Sequence, residues 1–161
     1  MTATAEEVLA ELAVQPRHPL DFVTARDVPR TTGIYALWHE DELLYVGIAT
    51  KDPAATANPQ AAGVAGRLDT YRRCRLTTDF AIAVAFRFVV PSLPPPTLSR
   101  LADGSIGVRE IHRITKAWVA EHVTFAARRA EPGIARVAET IARRSGLPGT
   151  DPPSFNASTD R

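Results

Sequence analysis

The stretch Thr32-Gly33-Ile34-Tyr35-Ala36-Leu37-Trp38-His39-Glu40-Asp41-Glu42-Leu43-Leu44-Tyr45-Val46-Gly47-Ile48 decides the fold. Two apolar runs flank a polar interruption, His39-Glu40-Asp41-Glu42, and this pattern reads as a β-hairpin with an acidic turn. Residues pair so that their numbers sum to an even value, as in Leu37 with Tyr45, which calls for a turn of about three or five residues. Ile34, Ala36 and Trp38 then share a face with Leu44, Val46 and Ile48. All six are apolar, so this face is predicted to meet the core. Tyr35, Leu37 and His39 lie on the other face beside Leu43, Tyr45 and Gly47. Two tyrosines therefore stand on neighbouring strands outside the expected core, as a solvated pair or as a pair facing a cleft.

Upstream, residues 4–13 read as a short helix with Val8, Leu9 and Leu12 on one face. Residues 15–31 contain Pro16, Pro19 and Pro29 and read as an extended entry segment. Downstream, a loop over 50–59 leads to a helix over about 60–73, with Val64, Leu68 and Tyr71 at helical spacing. Ala81 to Val90 is predicted as a strand, followed by a stiff proline-rich connector from Pro91 to Pro96. A helix from Ser105 to about Glu121 precedes a strand from His122 to Arg128. Glu131-Pro132 opens a last helix, with Ile134, Val137, Ala138 and Ile141 as its expected buried stripe and Gly146 as its stop. The expectation is one α/β domain: a small antiparallel sheet of three to four strands, flanked by helices.

The chain has 161 residues, 45% apolar and 23% charged, a composition suited to one soluble domain with a real core. Net charge is +1, so no global field favours nucleic acid or membrane. A single cysteine, Cys74, excludes an internal disulfide framework and a zinc knuckle. Glu6, Glu7 and Glu11 near the start, with no long apolar run, argue against a secretory signal and for a cytoplasmic location. His39-Glu40 starts a zincin-like pattern, but Leu43 stands where the second histidine is needed. Gly63-Val64-Ala65-Gly66 lacks the lysine and third glycine of a phosphate loop.

Gly33-Ile34-Tyr35 and Tyr45-Val46-Gly47 resemble the two signature tripeptides of the GIY-YIG nuclease superfamily. Further matches follow in order. Val28-Pro29-Arg30-Thr31-Thr32-Gly33 resembles the proline-bearing lead-in, and Gly66-Arg67-Leu68 falls on the helix that carries the family's essential arginine. Tyr71 stands four residues later, where relatives carry His or Tyr. Val137-Ala138-Glu139 lies on the helix that supplies the metal-binding glutamate, and Pro153-Ser154-Phe155-Asn156 resembles the closing Pro-x-x-Asn element. The matches span about residues 28–156, with 1–27 as helix and entry segment, an insertion at about 80–104, and a tail at 157–161. Ile48 departs from the pattern where Lys or Ser is common, with Lys51 as a substitute charge.

The resemblance implies a metal-dependent DNA endonuclease, leaving a 5′-phosphate and a 3′-hydroxyl, with Tyr35, Tyr45, Arg67, Tyr71, Glu139 and Asn156 as catalytic residues. Glu139 is the implied ligand for Mg²⁺ (or Mn²⁺), an ion that takes oxygen donors and keeps waters. Glu131 is the rival carboxylate. Arg67 offers a planar fork for phosphate oxygens. Tyr35 is a candidate general base if Mg²⁺ or Arg67 lowers its pKa from about 10. Arg72, Arg73, Arg75 and Lys51 are candidate DNA contacts, with Arg128-Arg129 and Arg143-Arg144 as further clusters. No helix-turn-helix or zinc module is visible, which leaves a stand-alone nuclease, a homodimer, or one guided by a specificity partner. The alternative is a non-catalytic nucleic-acid-binding or protein-interaction module on the same scaffold.

Overall fold

The computed structural model describes residues 3–21, 28–50 and 62–156. Four antiparallel strands form one sheet in the order β1-β4-β2-β3. These are β1 (His18–Pro19), β2 (Gly33–His39), β3 (Glu42–Ala49) and β4 (Val123–Arg129). The expected register is present: Leu37 pairs with Tyr45 and Tyr35 with Gly47. The turn is shorter than expected. Glu40 and Asp41 alone connect the strands, and Glu40 takes a left-handed φ of 51°. A bulge between Leu37 and Trp38 absorbs the difference, so Trp38 pairs with Leu43. That extra residue exchanges the expected faces of Leu43 and Leu44. Leu43 joins Ile34, Ala36, Trp38 and Val46, whereas Leu44 joins Tyr35 and Leu37.

Both faces of the sheet are covered. On one lie α1 (Ala5–Val14) and α7 (Pro132–Ser145), which pack on each other and on the strands. A capping box starts α1: Thr4 Oγ1 accepts from the Glu7 amide at 3.2 Å, and Glu7 accepts from the Thr4 amide at 2.7 Å. The buried stripe of α7 is Ala135, Ala138 and Ala142; Val137, expected inside, is exposed. Small side chains let the helix backbone approach the sheet, and this rotates the bulkier Val137 outward.

On the other face lie α2 (Gly63–Arg73), α3 (Asp79–Val84) and α6 (Val108–His122). The segment expected as a strand at 81–90 is helical instead. It runs from α3 through a π-helical turn, Ala85–Val89, into the short α4 (Val90–Ser92). A continuous apolar run of that length fits a buried helix as well as a strand. Thr78 caps it, and Phe80, Ala81, Val84 and Val89 enter the core. The proline connector also bends into helix, as α5 (Pro95–Ala102). The fourth strand of the sheet is therefore β1, not 81–90.

Candidate active site

The lead-in before β2 positions α2 over the sheet. The amides of Val64 and Ala65 donate to the carbonyls of Thr31 (3.1 Å) and Pro29 (2.9 Å), satisfying two orphan donors of the helix start. Gly63 sits at φ +64°, and a Cβ there would collide with the Arg30 backbone. One turn later, Arg67 and Tyr71 lie four residues apart along α2 and project toward the β2–β3 hairpin.

Three tyrosines converge there. Tyr35 from β2 and Tyr45 from β3 stack with ring centroids 6.3 Å apart, and Tyr71 lies 5.8 Å and 5.7 Å from them. The Tyr35 and Tyr71 hydroxyls share a hydrogen bond of 2.9 Å. Gly47 makes room for this arrangement, because a Cβ there would meet the Tyr35 hydroxyl and the Tyr45 ring. The tyrosine pair expected outside the core is thus covered: Tyr35 and Tyr71 are buried and Tyr45 half-buried. The Arg67 guanidinium lies 5.6 Å from the Tyr71 ring centroid.

Burial dominates the electrostatics. It pushes the Tyr35 phenol up to about 12, with the neighbouring Tyr45 adding to the rise and Tyr71 and Arg67 opposing it. Burial raises Tyr45 and Tyr71 as well. Arg67 therefore does not bring Tyr35 below its ordinary value, and the Tyr35 hydroxyl is a hydrogen-bond donor at neutral pH rather than a ready base. Burial opposes the charge on Arg67, but the hydroxyls of Tyr71 and Tyr35 outweigh it and hold the guanidinium charged.

Glu139 comes from the opposite layer. On α7 it stands beside the alanine stripe, half-buried at its edge. Burial lifts its carboxyl above the usual range, and Arg143 and Arg67 pull it back. Its charge also acts on Tyr45, so one electrostatic neighbourhood joins Arg67, Tyr45 and Glu139. Glu131 is the exposed N-cap of α7 and makes no side-chain capping bond.

Asn156 does different work. Its Oδ1 accepts from the Val46 amide at 2.7 Å, and its Nδ2 donates to the Val46 carbonyl at 2.8 Å. The amides of Ser154 and Phe155 donate to the carbonyls of Leu43 and Leu44. The segment thus covers the free edge of β3, and both polar groups of Asn156 are engaged in holding it there. Of the candidate DNA contacts, Arg72 and Arg73 both pair with Asp69 at 2.6 Å, and Arg75 is exposed just beyond α2. Arg128 pairs with Glu11. Lys51 lies outside the described residues.

Among the described residues no three His, Cys, Asp or Glu side chains gather to form a metal cage. One hard oxygen donor is present, the Glu139 carboxylate, with the Arg143 and Arg67 charges acting on it. Mg²⁺ is commonly held by one or two carboxylates with substrate phosphates and waters. Glu139, a hard oxygen donor disfavoured as a charge where it stands, gains from a cation beside it. No helix among the described residues is long and apolar enough to cross a membrane. No protein-family model, curated protein or solved structure matches the chain.

Proposed function

We propose that this chain is a metal-dependent DNA endonuclease of the GIY-YIG kind. One observation carries the reading: Tyr35, Tyr45, Arg67 and Tyr71, which the resemblance selects, meet in one hydrogen-bonded tyrosine cluster, and the Glu139 charge acts on Tyr45 and Arg67 from the neighbouring layer. A core needs no such arrangement. Buried hydroxyls and a half-buried carboxylate cost stability unless satisfied, and an apolar set would pack as well.

In this reading Arg67 receives the phosphate, its fork bonding two oxygens and offsetting the charge that grows on them. Tyr45, the least buried of the three, donates to the same phosphate. Tyr35 and Tyr71 stay protonated and hold Arg67 and Tyr45 in place. Glu139 is the ligand for Mg²⁺ or Mn²⁺, which when bound supplies positive charge and an acidified water. Water oxygen bonds to phosphorus and gives up a proton to solvent, the P–O3′ bond breaks, and O3′ takes a proton from solvent, giving a 5′-phosphate and a 3′-hydroxyl. Asn156 supports β3 and takes no part in the chemistry. The setting that suits this reading is cytoplasmic, with a second copy or a separate specificity protein as partner.

Incubation of the purified chain with supercoiled plasmid and Mg²⁺ or Mn²⁺ tests it. Nicked or linear product is expected, absent with EDTA. Binding without cutting across linear, branched and modified DNA favours the non-catalytic module instead.

A further inference from the structure

Charge is unevenly divided along the chain. Residues 62–122, the helical segment over the tyrosine face, hold nine Lys or Arg against five Asp or Glu. The rest holds ten against thirteen, so a net charge of +1 conceals a segment of +4 and a remainder of −3. Helix α6 sorts this charge further. At 100° per residue, Arg109, His112, Arg113 and Lys116 fall within an arc of about 100°, next to the buried line of Ile111, Thr115 and Val119. Glu121 lies on the far flank, and Glu110 beside it reaches Arg113 in an ion pair at 2.7 Å, which leaves Arg109 and Lys116 as the unpaired cations of the arc among the described residues. Arg109 sits in the first turn, where the helix dipole disfavours a cation, so helix stability does not account for it.

The cationic arc meets the end of α2. His112 Nε2 lies 3.3 Å from the Arg73 carbonyl oxygen, and the Lys116 charge acts on Cys74, the residue that caps α2. Arg75, Arg109 and Lys116 are exposed and make no ion pair among the described residues. From Arg109 to Lys116 the helix rises about 10 Å, comparable to a groove width of duplex DNA.

We propose that this α6 face, with Arg75, is a backbone-contact surface for duplex DNA that feeds the strand toward Arg67 on the same α2. The proposal rests on the endonuclease reading for the identity of its ligand. It differs from the active site in its residues and in its chemistry, since it binds phosphates and reads no base. The complementarity is electrostatic: exposed, unpaired cations face a polyanion, and each contact releases counterions.

The test is anisotropy of a labelled duplex of about 20 base pairs, titrated in EDTA over a range of salt, with the wild type and with Arg109→Gln/Lys116→Gln. Two lost phosphate contacts lower the slope of log K against log salt by about two and weaken low-salt binding about tenfold. The charge-keeping variant Arg109→Lys/Lys116→Arg should restore the wild-type slope, which a merely misfolded helix cannot explain. An unchanged slope in the Gln variant overturns the proposal, as does a wild type that binds no duplex. Plasmid nicking with Mg²⁺, run beside it, reads the endonuclease proposal separately. Cutting with an unchanged slope removes only the α6 surface, and a reduced slope without cutting removes only the enzyme.

Discussion

The two faces of the sheet are built from alternate residues of the same strands, yet they are different materials. The α1–α7 face takes Ile34, Ala36, Trp38, Leu43 and Val46 against the alanines of α7. The α2–α3–α6 face takes Tyr35, Leu37 and Leu44, with Tyr45, Tyr71 and Arg67 at its margin. The first is a close apolar fit with small residues at the contact, which stability alone explains. The second buries hydroxyls that must find partners and leaves the Arg67 guanidinium exposed, while the half-buried Glu139 carboxylate belongs to α7 in the other layer and is coupled to this face through its charge. The pleat thus lets one hairpin face two apolar layers, with the tyrosine cluster confined to one of them.

Substitutions on the two faces should therefore fail differently. The largest effect belongs to Glu139→Gln, which should reduce plasmid cleavage by at least about 10³-fold by removing the metal ligand. Burial raises the Glu139 carboxyl, so its favourable contribution exists below the unfolded value and is lost as pH rises through the folded one. At neutral pH its charge costs stability, and Glu139→Gln should leave Tm unchanged or higher. A lower Tm would make Glu139 structural and erase the contrast.

Next comes Ala138→Leu on the apolar face. Ala138 is fully buried between α7 and the sheet, and overpacking there should cost about 1–3 kcal/mol in denaturant unfolding. Cleavage per folded molecule should hold, and a loss comparable to that of Glu139→Gln would show that the faces do not act separately.

Smaller again is Tyr35→Phe, which keeps the ring and leaves the Tyr71 hydroxyl without its 2.9 Å partner. A stability loss of about 1–2 kcal/mol is expected, with roughly a tenfold loss in rate. A rate loss of many decades would restore Tyr35 as the base. The smallest effect is alkaline. The Tyr35 phenol ionises near 12 in the fold and near 10 when unfolded, so the unfolded chain releases its proton first. Stability present below about pH 10 should fall between about pH 10 and 12. Phenolate absorbance of the native protein should rise late, and more strongly after unfolding. A native titration centred near 10 for all three tyrosines contradicts the buried cluster.

How far the residues announced this depends on how local each signal is. The hairpin and its Leu37–Tyr45 register were legible because alternation and turn polarity are carried by neighbours in sequence. The bulge was not: nothing local distinguishes Leu43 from Leu44, and only the two-residue turn decides which faces α7. The helix over 79–92 is not legible because an apolar run lacks periodicity once every side is covered. Val137 is hydrophobic enough to suggest the inside, whereas close packing on a sheet selects the smaller alanines. β1 is two residues long and carries no pattern to read. For the candidate site, motif order found the residues that converge. It could not find that the Tyr35 pKa rises, since burial is a property of the assembled layers. That Asn156 ties the C-terminal tail to the core is one reading of the residues themselves; that its partner is Val46 is not legible.

The most direct test of the central claim compares wild type with Arg67→Ala in single-turnover nicking of supercoiled plasmid over a Mg²⁺ titration. Arg67 is exposed enough that its loss should leave the fold intact, so activity alone should change. The expected result is metal-dependent nicking by the wild type and at least about a 10³-fold loss in the variant. Equal rates in the two proteins, or no nicking by the wild type at any metal concentration, would contradict the account.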